Sequence, residues 1–178
     1  MRSPSVSRWL AVAALAVAAS LGGCHRNREK AAADAAAARE AQAAALLRQS
    51  TITVLRTGGI AGTETEATVD GTKLTYAIVS RRACATGLAC LPPTDVASGA
   101  MQESTARELF ATVDAEGIFG LREDYGTSPT LRDGFVYVVT LRRGNRTKTV
   151  RGDDATQPPE LARVEAAVFA AVEGARGR

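Results

Sequence analysis

Three cysteines, one histidine and a scatter of acids are the residues of this 178-residue chain whose types could do covalent, metal or acid–base chemistry. Their spacing argues against all three. His25 sits next to Cys24, whereas Cys84 and Cys90 are separated by Ala85-Thr86-Gly87-Leu88-Ala89. A zinc site needs further ligands, and a nucleophilic thiol or hydroxyl needs a base within reach. The sequence has no phosphate-binding glycine loop and no paired histidines. Asp114, Glu116, Glu123, Asp124, Asp153 and Asp154 supply carboxylates, but adjacent acids are ordinarily solvated or cap helices, and Asp153-Asp154 lacks a calcium-loop spacing. The expectation is a protein with no catalytic residue, no metal and no cofactor. The most informative local feature is Thr57-Gly58-Gly59-Ile60-Ala61-Gly62. Three glycines around one apolar residue allow tight curvature and close approach by a partner, and its plainer alternative is a loose hairpin turn.

The elements that must position such a loop begin after a biased N-terminal region. Arg2 and Arg8 precede the apolar run Trp9 to Ala19, which small residues follow. About a dozen apolar residues make a helix of roughly 18 Å, short of the ~30 Å hydrocarbon layer, so the run reads as an export segment rather than a span. Residues 24–50 read as a tether. Between Glu29 and Ser50 alanine is broken by charge, and only Leu46 and Leu47 are large and apolar. Such a segment favours helix but offers no face for a core, and it lacks the a/d pattern of a coiled coil. Removing Arg2 and Arg8 lowers Lys+Arg from 22 to 20 against 19 acids, a net charge of +1 rather than +3. That is too small a bias to indicate a nucleic-acid partner, which asks for a clustered basic face.

From Thr51 the composition turns β-branched, and residues 51–174 read as one α+β domain with 175–178 as a tail. Thr51–Arg56 predicts a strand closed by the glycine loop. Thr63–Val69, polar on one face, predicts an edge strand. Asp70-Gly71 predicts a hairpin turn by supplying residues that tolerate positive φ, and Lys73–Val79 a third strand buried through Leu74, Tyr76 and Ile78. A loop follows, and then Ala106, Leu109, Phe110 and Val113 recur at helical spacing up to Gly117. Phe135–Leu141, apolar on both faces, predicts a central strand that turns at Gly144-Asn145 into Arg146–Arg151. Pro158-Pro159 opens a last helix buried through Leu161, Val164, Val168, Phe169 and Val172, with its stop at Gly174. The expected fold is an antiparallel sheet of four to five strands with two helices packed on one face.

Leu21-Gly22-Gly23-Cys24 resembles the lipobox of bacterial lipoproteins. The resemblance implies removal of residues 1–23 as a signal peptide, diacylation of the Cys24 thiol and acylation of its new amino group. Several acyl chains hold a protein to the lipid bilayer durably. The alternative is a plain signal peptide in which Cys24 is incidental. His25 stands where an Asp would imply retention in the inner membrane, so the resemblance favours the outer membrane on its periplasmic side. With Cys24 acylated, Cys84 and Cys90 form an even pair in an oxidising compartment, which favours a disulfide over two free thiols or thiol chemistry.

Arg56 to Gly62 after a strand, an acidic turn near Asp70, the stretch Ala106 to Leu121 with its Phe119, and a closing hairpin followed by Asp153-Asp154 and Pro158-Pro159-Glu160-Leu161 resemble the emfourin, or protealysin-inhibitor, family. Its characterised members inhibit thermolysin-like zinc metallopeptidases. The resemblance implies a stoichiometric inhibitor in which Thr57 to Gly62 enters a peptidase cleft and Ile60 fills an apolar subsite. The lipid anchor and spacer, the Cys84–Cys90 insertion and an extended first hairpin depart from the family pattern. The rival reading is an envelope lipoprotein that binds another envelope protein as an assembly module.

Overall fold

The computed structural model describes residues 28–60, 62–82, 93–130 and 133–177. Residues 1–27, with the expected signal segment, lipobox and Cys24, lie outside the described residues, as do Cys84, Cys90 and Ala61. The chain divides into two compact units, residues 1–42 and 43–178. Helix α1 covers residues 28–47, and every side chain from 28 to 43 is exposed, as the alanine-and-charge pattern requires. None of the described helices is long and apolar enough to cross a membrane.

The second unit is built on a sheet of six antiparallel strands: β1 (Ser50–Gly58), β2 (Thr63–Asp70), β3 (Thr75–Arg82), β4 (Asp95–Ala100), β5 (Phe135–Arg143) and β6 (Arg146–Asp153). Their order is β4-β3-β2-β1-β5-β6. Between β4 and β5 the chain crosses from one edge of the sheet to the far side of β1 through helix α2 (Glu103–Ala115) and a 3-10 turn (Ile118–Gly120). Helix α3 (Pro159–Arg176) follows β6. The class matches the sequence expectation, but the sheet has six strands rather than four to five, and three helices are described once α1 is included.

Register explains the core. Ile52 stands opposite Val69 and Leu141, and Val54 opposite Ala67 and Val139. Tyr76 and Ile78 continue the same face on β3 and Val150 on β6. That face packs on Ala106, Leu109, Phe110 and Val113 of α2 and on Leu161, Val164, Val168 and Val172 of α3. Both helical stripes fall where 3.6-residue spacing puts them, except that Phe169, expected in the buried stripe of α3, is only half-buried at its margin. The other face carries threonines, with Thr53–Thr68 and Thr140–Thr149 hydroxyl pairs, and Leu55, Val79 and Val138 half-buried among them.

Four local expectations need correction. β2 is interior, between β1 and β3, so its polar face is the open side of the sheet and not a margin. The turn after Asp70 spans residues 71–74, and its one left-handed residue is Leu74 (φ 53°) rather than Asp70 or Gly71. α3 runs through Gly174 to Arg176, whose guanidinium grips Asp95 at 2.6 and 2.8 Å and holds the last turn against β4. Leu47 is 2% exposed and belongs to the core, so residues before Thr51 contribute to burial after all.

Candidate functional site

β1 and β2 are full-length antiparallel partners, and the loop between them projects from the end of the sheet. Gly58 (φ 132°), Gly59 (φ 72°) and Gly62 (φ 55°) all take conformations that L side chains rarely adopt, and Gly62 N–H closes the turn on the Gly59 carbonyl at 3.0 Å. At its tip Ile60 is 90% exposed, the most exposed large apolar side chain described. Thr57, still in β1, lies on the open face of the sheet between Glu64 and Val136. The structure thus brings Thr57, Gly58, Gly59, Ile60 and Gly62 together as one curved segment.

Its base is fixed from the neighbouring strand. Gly59 N–H donates to the Gly134 carbonyl at 3.1 Å, and Thr63 Oγ1 reaches the Gly58 carbonyl at 3.4 Å. A Cβ on Gly58 would lie 2.4 Å from the Gly134 oxygen, and one on Gly59 would lie 2.8 Å from the ring of Phe135. Glycine is required here so that the loop can rest on β5. Below it, the Arg56 guanidinium lies between Phe135 and Phe169, 4.9 and 4.7 Å from the ring centroids, and pairs with Glu165 at 3.8 Å. A cation between two rings gains roughly 0.5–2 kcal/mol per contact as desolvation increases. Asp154 accepts from Phe135 N–H at 2.7 Å and from the Tyr137 hydroxyl at 2.6 Å, and its own N–H returns to the Phe135 carbonyl. Burial and the Asp154 hydrogen bond push the Tyr137 phenol well above its ordinary value, so it donates at every physiological pH.

Asp153 departs from the sequence reading of a solvated acid. It is 0% exposed and accepts from the N–H groups of Ser128, Ala155 and Thr156 and from the Thr156 hydroxyl. Burial alone would raise its pKa, but these donors outweigh burial and hold the carboxyl below the usual range. Glu165 is displaced the other way: burial raises it, Arg56 offsets part of that, and Asp154 adds to it. The two shifts have opposite consequences. A lowered carboxyl contributes stability that is lost as pH falls through its folded value. A raised one opposes folding increasingly as pH rises from its unfolded toward its folded value. Replacing Asp153 by Asn is therefore expected to lower the melting temperature at neutral pH and flatten the acid limb. Glu165→Gln is expected to flatten the decline on the neutral side instead. Thermal melts across the pH range check both, and an unchanged acid limb in Asp153→Asn would contradict the first.

The remaining acids are spent on surface structure. Asp114 pairs with Arg143, Glu116 with Arg163 at 2.7 Å, and Glu123 with Lys148 at 3.6 Å, while Asp124 accepts from Gly126 N–H. Among the described residues no group of three His, Cys, Asp or Glu side chains is placed to hold a metal ion. Sequence reasoning missed the Arg56, Phe135, Phe169 and Glu165 cluster. The signal was present only as a charged residue on the buried parity of β1, opposite Tyr137.

The model of the Emfourin family matches residues 83–166. The matched region runs through β4, α2, β5 and β6 into the second turn of α3, and so includes Phe135, Tyr137, Asp154 and Glu165 that support the hairpin. It does not reach β1 to β3 or the hairpin itself. The match supports an emfourin-like fold. No curated protein matches the chain.

Proposed function

We propose that the chain is an emfourin-like inhibitor of thermolysin-like zinc metallopeptidases, held on the periplasmic side of the outer membrane by acylated Cys24. The observation that carries the inhibitory reading is Ile60, 90% exposed at the tip of a hairpin whose base is fixed by Gly134, Phe135 and Asp154. Leaving an isoleucine in water forgoes about 1.5–3 kcal/mol that an apolar subsite would return. A loop already curved and supported loses little entropy on docking, and preorganisation of this kind contributes more to affinity than area does. The family match at residues 83–166 supports the peptidase as the class of partner. The lipobox Leu21-Gly22-Gly23-Cys24 supports the membrane anchor, and Cys84 with Cys90 supports a short disulfide loop in that compartment.

Titrating the purified protein against a thermolysin-like peptidase tests the function. The expected result is loss of activity that is complete near one inhibitor per enzyme, and full activity at a large molar excess would overturn it. Mass spectrometry of the cell-derived protein tests the anchor, with an acylated N-terminal Cys24 expected. The second reading, a binding module of the envelope with no peptidase target, is favoured by Val96, 63% exposed on the edge strand β4, where a partner strand could add. It predicts full peptidase activity together with capture of an envelope protein that a Val96→Lys variant releases.

A further inference from the structure

At the end of the sheet opposite the glycine hairpin, α1 hands the chain to β1 beside the turns β2–β3 and β5–β6. There Arg48, Lys73 and Arg142 surround an open hollow of about 390 Å³, with Gln49, Asp70 and Gly144 between them. Gly144 N–H donates to the Gln49 carbonyl at 2.9 Å, which fixes the β5–β6 turn against the incoming chain. The one acid in the hollow is engaged: Asp70 accepts from Thr72 N–H at 2.9 Å, from the Thr72 hydroxyl at 2.6 Å and from Lys73 N–H, and its partner cation Lys73 stands 3.6 Å away. Arg48 and Arg142 are exposed and have no ion-pair partner among the described residues. Two unpaired guanidiniums at the rim of a hollow are a phosphate-binding arrangement, because their planar forks match phosphate oxygens.

We propose that this basic end binds the phosphate headgroups of anionic phospholipids in the bilayer that holds Cys24; the choice of a bilayer rests on the membrane-anchored reading above. Charge and position both favour that occupant. The cations cluster where the tether enters the domain, so of the two ends of the sheet theirs is the one the chain reaches first from Cys24. β1 then leads away from that surface for nine residues, about 30 Å, to Gly58. Seated on its basic end, the domain would present Ile60 to the aqueous side at the far end of the strand.

The test uses the mature chain, residues 24–178, carrying Cys24→Ser so that no acyl chain contributes. It is sedimented with vesicles of phosphatidylcholine alone or mixed with phosphatidylglycerol. Binding is expected only with the mixed vesicles and is expected to fall at high salt, because exposed charges are screened beyond the Debye length. Arg48→Gln with Arg142→Gln should reduce partitioning about 25-fold, about fivefold per cation at an anionic surface. Both side chains are exposed, so the melting temperature should not change. Arg82→Gln, the same loss of charge at the hairpin end, should leave binding unaltered. Equal binding to both vesicle types, no effect of the double variant, or complete displacement by inorganic phosphate at matched ionic strength would overturn the proposal. Its failure is separable from failure of the anchor: an unacylated Cys24 in cell-derived protein leaves this binding intact, whereas acylation without preference for anionic vesicles removes the patch alone.

Discussion

Replacing Ile60 by Asp is expected to weaken inhibition of a thermolysin-like peptidase by at least about 100-fold without lowering the melting temperature. The two halves of that expectation have different origins. Ile60 is 90% exposed, so the folded domain gains almost nothing from it and loses nothing when it becomes polar. In the complex, the lost burial costs about 1.5–3 kcal/mol, and a carboxylate carried into an apolar subsite adds its own desolvation. About 3 kcal/mol in total corresponds to a factor of more than 100 in the inhibition constant. Ile60→Ala should fall between, at roughly 10-fold or somewhat more, since a methyl remains. Inhibition by Ile60→Asp equal to wild type would show that the hairpin tip does not enter the cleft, and would leave the family match without a contact residue.

Much of the scaffold behind that tip was legible in the sequence, and the misses have physical reasons. The buried stripes of α2 and α3 were readable because Leu109, Phe110, Val113, Leu161, Val164, Val168 and Val172 are large, apolar and spaced for one helical face. β5 was readable because it carries apolar residues on both parities. β4 was not, since Asp95–Ala100 turns only Ala97 and Gly99 toward the core while Val96 points to solvent. Small residues are needed there because a Cβ on Gly99 would lie 3.1 Å from the ring of Tyr76, which fills the space a side chain would take. An alternation argument needs a large inward residue, and this strand has none. Asp153 was unreadable for a different reason. Its buried state depends on Ser128, remote in sequence, turning its N–H onto the carboxylate. The glycine loop lay between the two cases. Its curvature followed from composition, whereas its support by Phe135 and Gly134 required knowing that β5, and not β3, flanks β1 on the other side.

That support makes the three glycines unequal, and their alanine variants are expected to rank by what the new Cβ meets. Gly58→Ala should be the worst. Its φ of 132° is nearly closed to L residues, and the Cβ would sit 2.4 Å from the Gly134 carbonyl oxygen, a backbone atom that cannot step aside without breaking the β1–β5 ladder. Strain of about 1–3 kcal/mol for the dihedral, plus the overlap, predicts a loss of about 2–4 kcal/mol. At roughly 3–5 °C per kcal/mol for a domain of this size, the melting temperature should drop by about 6–20 °C. Gly59→Ala meets the Phe135 ring at 2.8 Å, and a ring can tilt, so part of that cost relaxes at the expense of the Arg56 sandwich. Gly62→Ala meets nothing within 4 Å and bears only the left-handed penalty, about 1–2 kcal/mol. Calorimetric melts of the three variants decide the order. Inhibition measured well below each melting temperature then asks a further question. A rigid loop predicts that Gly58→Ala binds more weakly than Gly62→Ala even when both are fully folded, because the first moves the base that aims Ile60. If Gly58→Ala melts with wild type, the hairpin does not rest on β5 as described, and the preorganisation on which the inhibitory reading depends goes with it.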